Sequence, residues 1–244
     1  MRAPAVIRLS IGLGLCCLLR AETQPAALQK VVVSNTENAD FPAGGTLHLK
    51  NSIGELTIEG WDQPGLEVTT IKSSKVAVEG REREKAVKLL DSVKIAIERK
   101  GDEATISTTF PKHPKIERLF TGLTDFDLEY RIKVPRDAKL AIDHTMGEVH
   151  IDGVRGEIHA ADDMGLITVL LPDGQYAIDA LSKIGSVDSD FPGNEKSRKW
   201  VGQTYLGSAP ASGRKIVLRI RYGDIIIQRM HQPPPPPPGA PSGK

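Results

Sequence analysis

The chain has 244 residues, with 32 Lys and Arg against 31 Asp and Glu and a formal net charge of +1. That balance gives no support to nucleic-acid binding or to attraction by acidic membranes. Its two cysteines are Cys16 and Cys17, and both fall in a segment that reads as a cleaved leader. A mature chain without cysteine excludes disulfides, thiolate catalysis and Cys-based zinc sites.

Residues 1–21 have the layout of a secretory signal peptide. Arg2 and Arg8 supply the positive region, residues 11–19 a short apolar core, and Ala21 a small residue before cleavage. The apolar run is far shorter than the ~20 residues of a spanning helix. Leu15, where lipoprotein processing wants a small residue, speaks against acylation at Cys16 or Cys17. Loss of Arg2, Arg8 and Arg20 with the leader leaves 29 basic residues against 31 acidic. The expected location is therefore exported: periplasm, cell surface or medium.

After a polar leader at 22–44, units opening at Gly45 and Gly54 stand nine residues apart. Leu47/Leu49 and Leu56/Ile58 fill their third and fifth positions, the period-2 pattern of a half-buried strand. A further strand follows Gly65. The charged stretch around 81–91 places Ala86, Leu89 and Leu90 at helical spacing and predicts one short inserted helix. Strands at 93–97 and 104–108 read as a hairpin. A loop at 111–126 carries Leu119 and Phe120, and an alternating strand at 128–134 leads through Pro135 into the central repeat.

From Ala138 to Phe191 the nine-residue unit recurs, opening on Ala138, Gly147, Gly156, Gly165 and Gly174, and after two extra residues on Gly185. Its inward pairs include Leu140/Ile142, Val149/Ile151 and Ile167/Val169. Four residues between five-residue strands suit tight turns but not helical crossovers. Two architectures follow, an antiparallel meander or a coil that stacks rungs. Regular glycines favour the coil: an all-β, β-solenoid or β-helix-like stack in which two units make one turn and two facing sheets share a core. Residues 192–199 read as a charged loop, strands at 216–220 and 224–227 as the closing rungs, and 231–244, with six consecutive prolines, as a disordered tail. The expected domain is a single body over 45–230.

The motifs GEVHIDGVRGEIHA, LHLKNSIGELTIEGWD, IKVPRDAKLAID and RYGDIIIQ, spanning Gly45 to Gln228, resemble the bacterial “putative adhesin” domain family of unknown function. The resemblance implies a cell-envelope, β-solenoid-like protein with no established catalysis and no binding residues to carry over.

Four groups of side chains carry candidate chemistry. His150 and His159 share a unit position near Asp152, Asp162 and Asp163, the donor types of a His-carboxylate metal site. If consecutive units lie on opposite sheets, however, the two histidines part, and solvated side chains are the better reading. Asp143, Asp152, Asp162, Asp163, Asp173 and Asp179 stand near turns, where Asp caps its own backbone, so glycan cleavage or calcium binding is the weaker reading. Ser52, Ser182, Ser186 and Ser189 lack a nucleophile-elbow setting. Trp61, Trp200, Tyr205 and Tyr222 would form a sugar-stacking patch if exposed together. No phosphate loop or dinucleotide fingerprint occurs.

The expectation is a secreted or envelope, non-enzymatic, adhesin-like interaction module. It has no assigned catalytic, cofactor-binding or metal residues, and its partner is an unidentified envelope protein or glycan. The alternatives are a carbohydrate-active β-helix enzyme and a protein partner in envelope stress signalling. A groove holding acids and aromatics would point to the enzyme, an evenly polar surface to the binder.

Overall fold

A computed structural model describes residues 28–110, 126–198, 201–210 and 213–230. Thirteen strands and one helix follow in the order β1 (Val32–Ala39), β2 (Thr46–Trp61), β3 (Leu66–Ser74), α1 (Gly80–Ser92), β4 (Lys94–Lys100), β5 (Glu103–Thr109), β6 (Phe126–Pro135), β7 (Lys139–Asp152), β8 (Ile158–Leu171), β9 (Tyr176–Ile184), β10 (Val187–Ser189), β11 (Gly193–Arg198), β12 (Gly202–Gly207) and β13 (Arg214–Arg229). They form one mixed sheet ordered β1-β3-β6-β2-β7-β8-β13-β9-β12-β11, with β4 and β5 beside β2 and β10 beside β13.

Four long parallel strands, β2, β7, β8 and β13, make the spine. Each changes face halfway. In β7 the buried positions are Leu140, Ile142 and His144, then Val149 and Ile151. In β13 they are Ile216, Leu218 and Ile220, then Ile225 and Ile227. A straight strand buries alternate residues of one parity, so the parity change marks a bend. Gly54, Gly147, Gly165 and Gly223 sit at that bend in one register row. All four have positive φ, from +93° to +153°. The backbone also approaches too closely for a side chain: a Cβ on Gly165 would stand 1.7 Å from the carbonyl oxygen of Gly147. Glycine alone meets both demands.

The sheet is thus folded along a glycine line, and the inward faces of its halves belong to one hydrophobic core. Full burial of each aliphatic side chain is worth about 1.5–3 kcal/mol, so this shared core holds the two halves together.

Two nine-residue units do make one traverse, because Leu140 pairs with Ile158 and Val149 with Ile167, each eighteen residues on. Three of the seven unit glycines, Gly54, Gly147 and Gly165, are bends inside a strand, however, and not turns between strands. The expected uninterrupted stack of rungs is not what the pairing shows. β13 enters in parallel between β8 and β9, and β2 lies beside β7 although β3 to β6 intervene in sequence. Among the described residues the sheet does not close on itself. Alternation specifies which face of a strand is buried, whereas backbone ladder bonds accept any sequence in the next strand.

The expected helix is α1, and the expected hairpin is β4–β5. Leu90 anchors α1 in the core, and Lys72 Nζ of β3 donates to the carbonyls of Leu90 and Val93 at the helix end, 3.0 and 3.1 Å away. The stretch read as a polar leader contributes β1, paired antiparallel with β3. The charged segment read as a loop contains β11, paired antiparallel with β12. Both are edge strands with mostly exposed side chains, and so carry no apolar alternation to betray them. Of the loop expected at 111–126, Phe126 is instead the buried first residue of β6, and 111–125, the tail and the leader at 1–21 lie outside the described residues.

Candidate functional site

The bend brings polar side chains into the core. Ser52, His144, Asp162, Ile220 and Ser182 occupy one inward register row across β2, β7, β8, β13 and β9. Ser52 and Ser182 are fully buried, His144 and Asp162 nearly so. A strand that changes face leaves carbonyls pointing inward, and a buried carbonyl without a partner costs free energy. Two of these residues supply the missing donors: Ser182 Oγ donates to the Gly223 carbonyl at 2.7 Å, and His144 Nε2 lies 3.2 Å from that of Gly54.

That second contact assigns the tautomer. With the Nε2 proton on Gly54, His144 Nδ1 is an acceptor, and Ser52 Oγ donates to it at 2.7 Å. Burial holds the imidazole neutral by moving its pKa down to about 4. Asp162 follows His144 in the row but turns to its own strand, where Oδ1 accepts from the Met164 amide at 3.2 Å. Its Oδ2 is buried without a hydrogen-bond partner, and burial pushes the carboxyl up to about 6. Asp162 was expected among solvated turn residues; the face change puts it inside.

Serine, histidine and aspartate therefore stand side by side, but not as a nucleophilic relay. A relay needs the base oriented by a third group and a reachable oxygen. Here a backbone carbonyl orients His144, Asp162 makes no bond to it, and Ser52 is sealed from solvent. Ser186 and Ser189 are engaged elsewhere, with Asp224 Oδ1 and the Phe191 amide.

The remaining acids and histidines disperse. His150 lies on the second half of β7 against Glu148 at 3.1 Å, whereas His159 lies on the first half of β8. Asp163 pairs with Arg221 and Asp179 with Arg219, while Asp143 is exposed. Asp152 closes β7, and Asp173 lines an outer hollow with Asp190 and Arg229. Among the described residues, no three His, Asp or Glu side chains gather as a metal-holding group. Among the described residues the aromatic side chains do not assemble either. Tyr205 is buried with its hydroxyl on the Phe191 carbonyl, Trp61 Nε1 donates to the Gly65 carbonyl, and Tyr222 is exposed. Trp200 lies outside the described residues.

Two outward features remain. Immediately before the bend glycines stand Ile53, Met146, Met164 and Tyr222, with Ile184 next to Tyr222 in register. Met164, Tyr222 and Ile184 are 43–46% exposed, and neighbouring Val201 is 58% exposed. Met164, Tyr222, Ile184 and Val201 form a short apolar row along the outside of the fold line, whereas Ile53 is buried in the core. The second feature is a shallow groove of about 340 Å³ on the outer face of the first half-sheet, floored by Ala141 and Ala161 and rimmed by His48, His159, Lys50 and Arg219. Neither was legible in sequence, because each is assembled from separate strands.

No protein-family model matches the chain, and no curated protein matches it. Solved structures similar to it include a “putative cell adhesion protein” from Clostridium sporogenes, at 16% identity and a TM-score of 0.44, covering 81% of this chain and 100% of that one. A “putative adhesin” from Bacteroides fragilis has 8% identity and a TM-score of 0.30, covering 82% and 98%. Another from Parabacteroides merdae has 8% identity and a TM-score of 0.28, covering 81% and 91%.

Proposed function

We propose that this chain is an exported, non-enzymatic binding module of the cell envelope that engages another protein. The observation that carries this reading is the exposed apolar row of Met164, Tyr222, Ile184 and Val201 along the fold line. Adjacent apolar side chains held at strand spacing suit a protein surface. A glycan site would instead want several exposed aromatic faces, and among the described residues Tyr222 stands without another tyrosine or tryptophan in its row. The burial of Ser52, His144 and Asp162 supports the non-enzymatic side of the reading.

We also read residues 1–21 as the export signal, the body from β1 to β13 as one domain and 231–244 as a spacer. The body is a modified β-solenoid whose eighteen-residue traverse is interrupted where β13 enters. The experiment is a paired binding assay on the mature chain against envelope extract. Wild type should retain a partner that Met164→Ser and Tyr222→Ser lose, at unchanged melting temperature. Equal retention by wild type and both variants, or cleavage of a polysaccharide by the purified chain, would overturn the reading.

A further inference from the structure

We propose that His48 and His159 form a two-histidine site for a borderline transition-metal ion such as Zn²⁺, Cu²⁺ or Ni²⁺. In register, His48 of β2 pairs with Ala141 of β7, and Ala141 pairs with His159 of β8. All three belong to the outward face. Strands lie 4.7–4.9 Å apart, so the histidine backbones are about 9–10 Å from one another. Among the described residues, the only side chain between them in register is the methyl of Ala141. Both imidazoles can therefore lean over it and direct nitrogens at one ion, at the roughly 2.0–2.1 Å that zinc–imidazole bonds require.

Both rings line the Ala141–Ala161 groove, and among the described residues neither has a hydrogen-bond or ion-pair partner. The other described histidines are committed, His144 to Ser52 and Gly54, and His150 to Glu148. Nearby cations are opposed by acids: Arg219 is bound to Asp179 at 2.6 Å, and Lys50 stands beside Asp143 in register. Asp143 also lies two residues beyond Ala141 on the same face, placed to accept from water on the ion. Imidazole donors suit these metals and not calcium or magnesium. Two protein ligands leave coordination positions open, so the site would hold its ion in exchange with water or with an outside donor. It lies away from the apolar row and does not depend on it.

The test uses the full chain, purified without a histidine tag and titrated with Cu²⁺, Ni²⁺ or Zn²⁺ alone by calorimetry. Electron paramagnetic resonance of the Cu²⁺ form counts the nitrogen ligands. One ion per chain with two nitrogen ligands is expected. His48→Ala and His159→Ala should each weaken binding at least about tenfold, and His150→Ala should leave it unchanged. Ala141→Leu keeps both ligands but fills the space between them, and should weaken binding comparably. If that variant misfolds, the His48→Gln/His159→Gln pair decides the matter. Absence of stoichiometric binding would overturn the proposal. So would binding that survives loss of both histidines, is indifferent to Ala141→Leu in a folded variant, or disappears on replacing His113 or His231 instead.

Discussion

Ser52 Oγ and His144 Nδ1 meet at 2.7 Å although 92 residues separate them. The contact ties β2 to β7 at the bend, and through His144 Nε2 it extends to the Gly54 carbonyl. The bend is therefore secured by side chains as well as by ladder bonds.

Ser52→Ala should lower stability by about 1–3 kcal/mol, because it leaves the His144 Nδ1 lone pair buried without a donor. Urea unfolding at neutral pH measures this. A change below about 0.5 kcal/mol, the ordinary range for surface substitutions, would mean the pair contributes nothing.

The bend row makes stability depend on pH through two opposing groups. His144 titrates near 4 when folded, against 6.5 ordinarily. The unfolded chain takes that proton first, so this contribution is complete above pH 6.5 and is lost as pH falls toward 4, about 3 kcal/mol in all. Asp162 titrates near 6 when folded, against 3.8 ordinarily. The folded chain takes this proton first, so its contribution is present in acid and is lost as pH rises from about 4 to 6, again about 3 kcal/mol. The slopes oppose each other between pH 4 and 6. Asp162→Asn removes one of them. The variant should exceed wild type by about 1–3 kcal/mol at pH 7.5, and its advantage should fade toward pH 4. Parallel pH profiles for the two proteins would count against this account.

Gly165→Ala and Gly101→Ala separate close packing from backbone strain. Both glycines have positive φ, +153° and +66°, but a Cβ meets backbone only at Gly165, whereas at Gly101 nothing lies within 4 Å. Gly101→Ala should cost about 1–2 kcal/mol. Gly165→Ala adds a backbone clash and should cost more than about 3 kcal/mol. Comparable melting temperatures would show that the glycine line is selected by conformation alone.

Thr108 and Tyr130 share a buried hydroxyl pair at 2.8 Å. Tyr130→Phe should cost about 1–2 kcal/mol, and adding Thr108→Val should recover part of it, since an orphaned polar group costs more than a removed pair. Burial pushes the Tyr130 phenol up to about 12. In an alkaline absorbance titration, one tyrosine should ionise only there, and that step should vanish in Tyr130→Phe.

The apolar ladder was legible because alternation is local. Leu47, Leu140, Val149, Ile158 and Ile167 are buried as their unit positions require. The face change was not legible. Counting from each glycine gives the right parity within a unit, but does not say whether the glycine ends a strand or bends it. This ambiguity hid Asp162, one residue from a half-buried, ion-paired Asp163. It also obscured the register of His159, which lies in line with His48 across Ala141 and not beside His150 of the preceding unit.

Sequence by itself determined the strand-rich class, the inserted helix, the inward aliphatic positions and the eighteen-residue repeat distance. All of these follow from side-chain period and turn chemistry along a few residues. Only the tertiary structure decided that β13 enters between β8 and β9, that edge strands form from polar segments, and that Ser52, His144 and Asp162 share one buried row. Those outcomes rest on which strand edges meet, and main-chain hydrogen bonds join strand edges with little regard for side-chain identity.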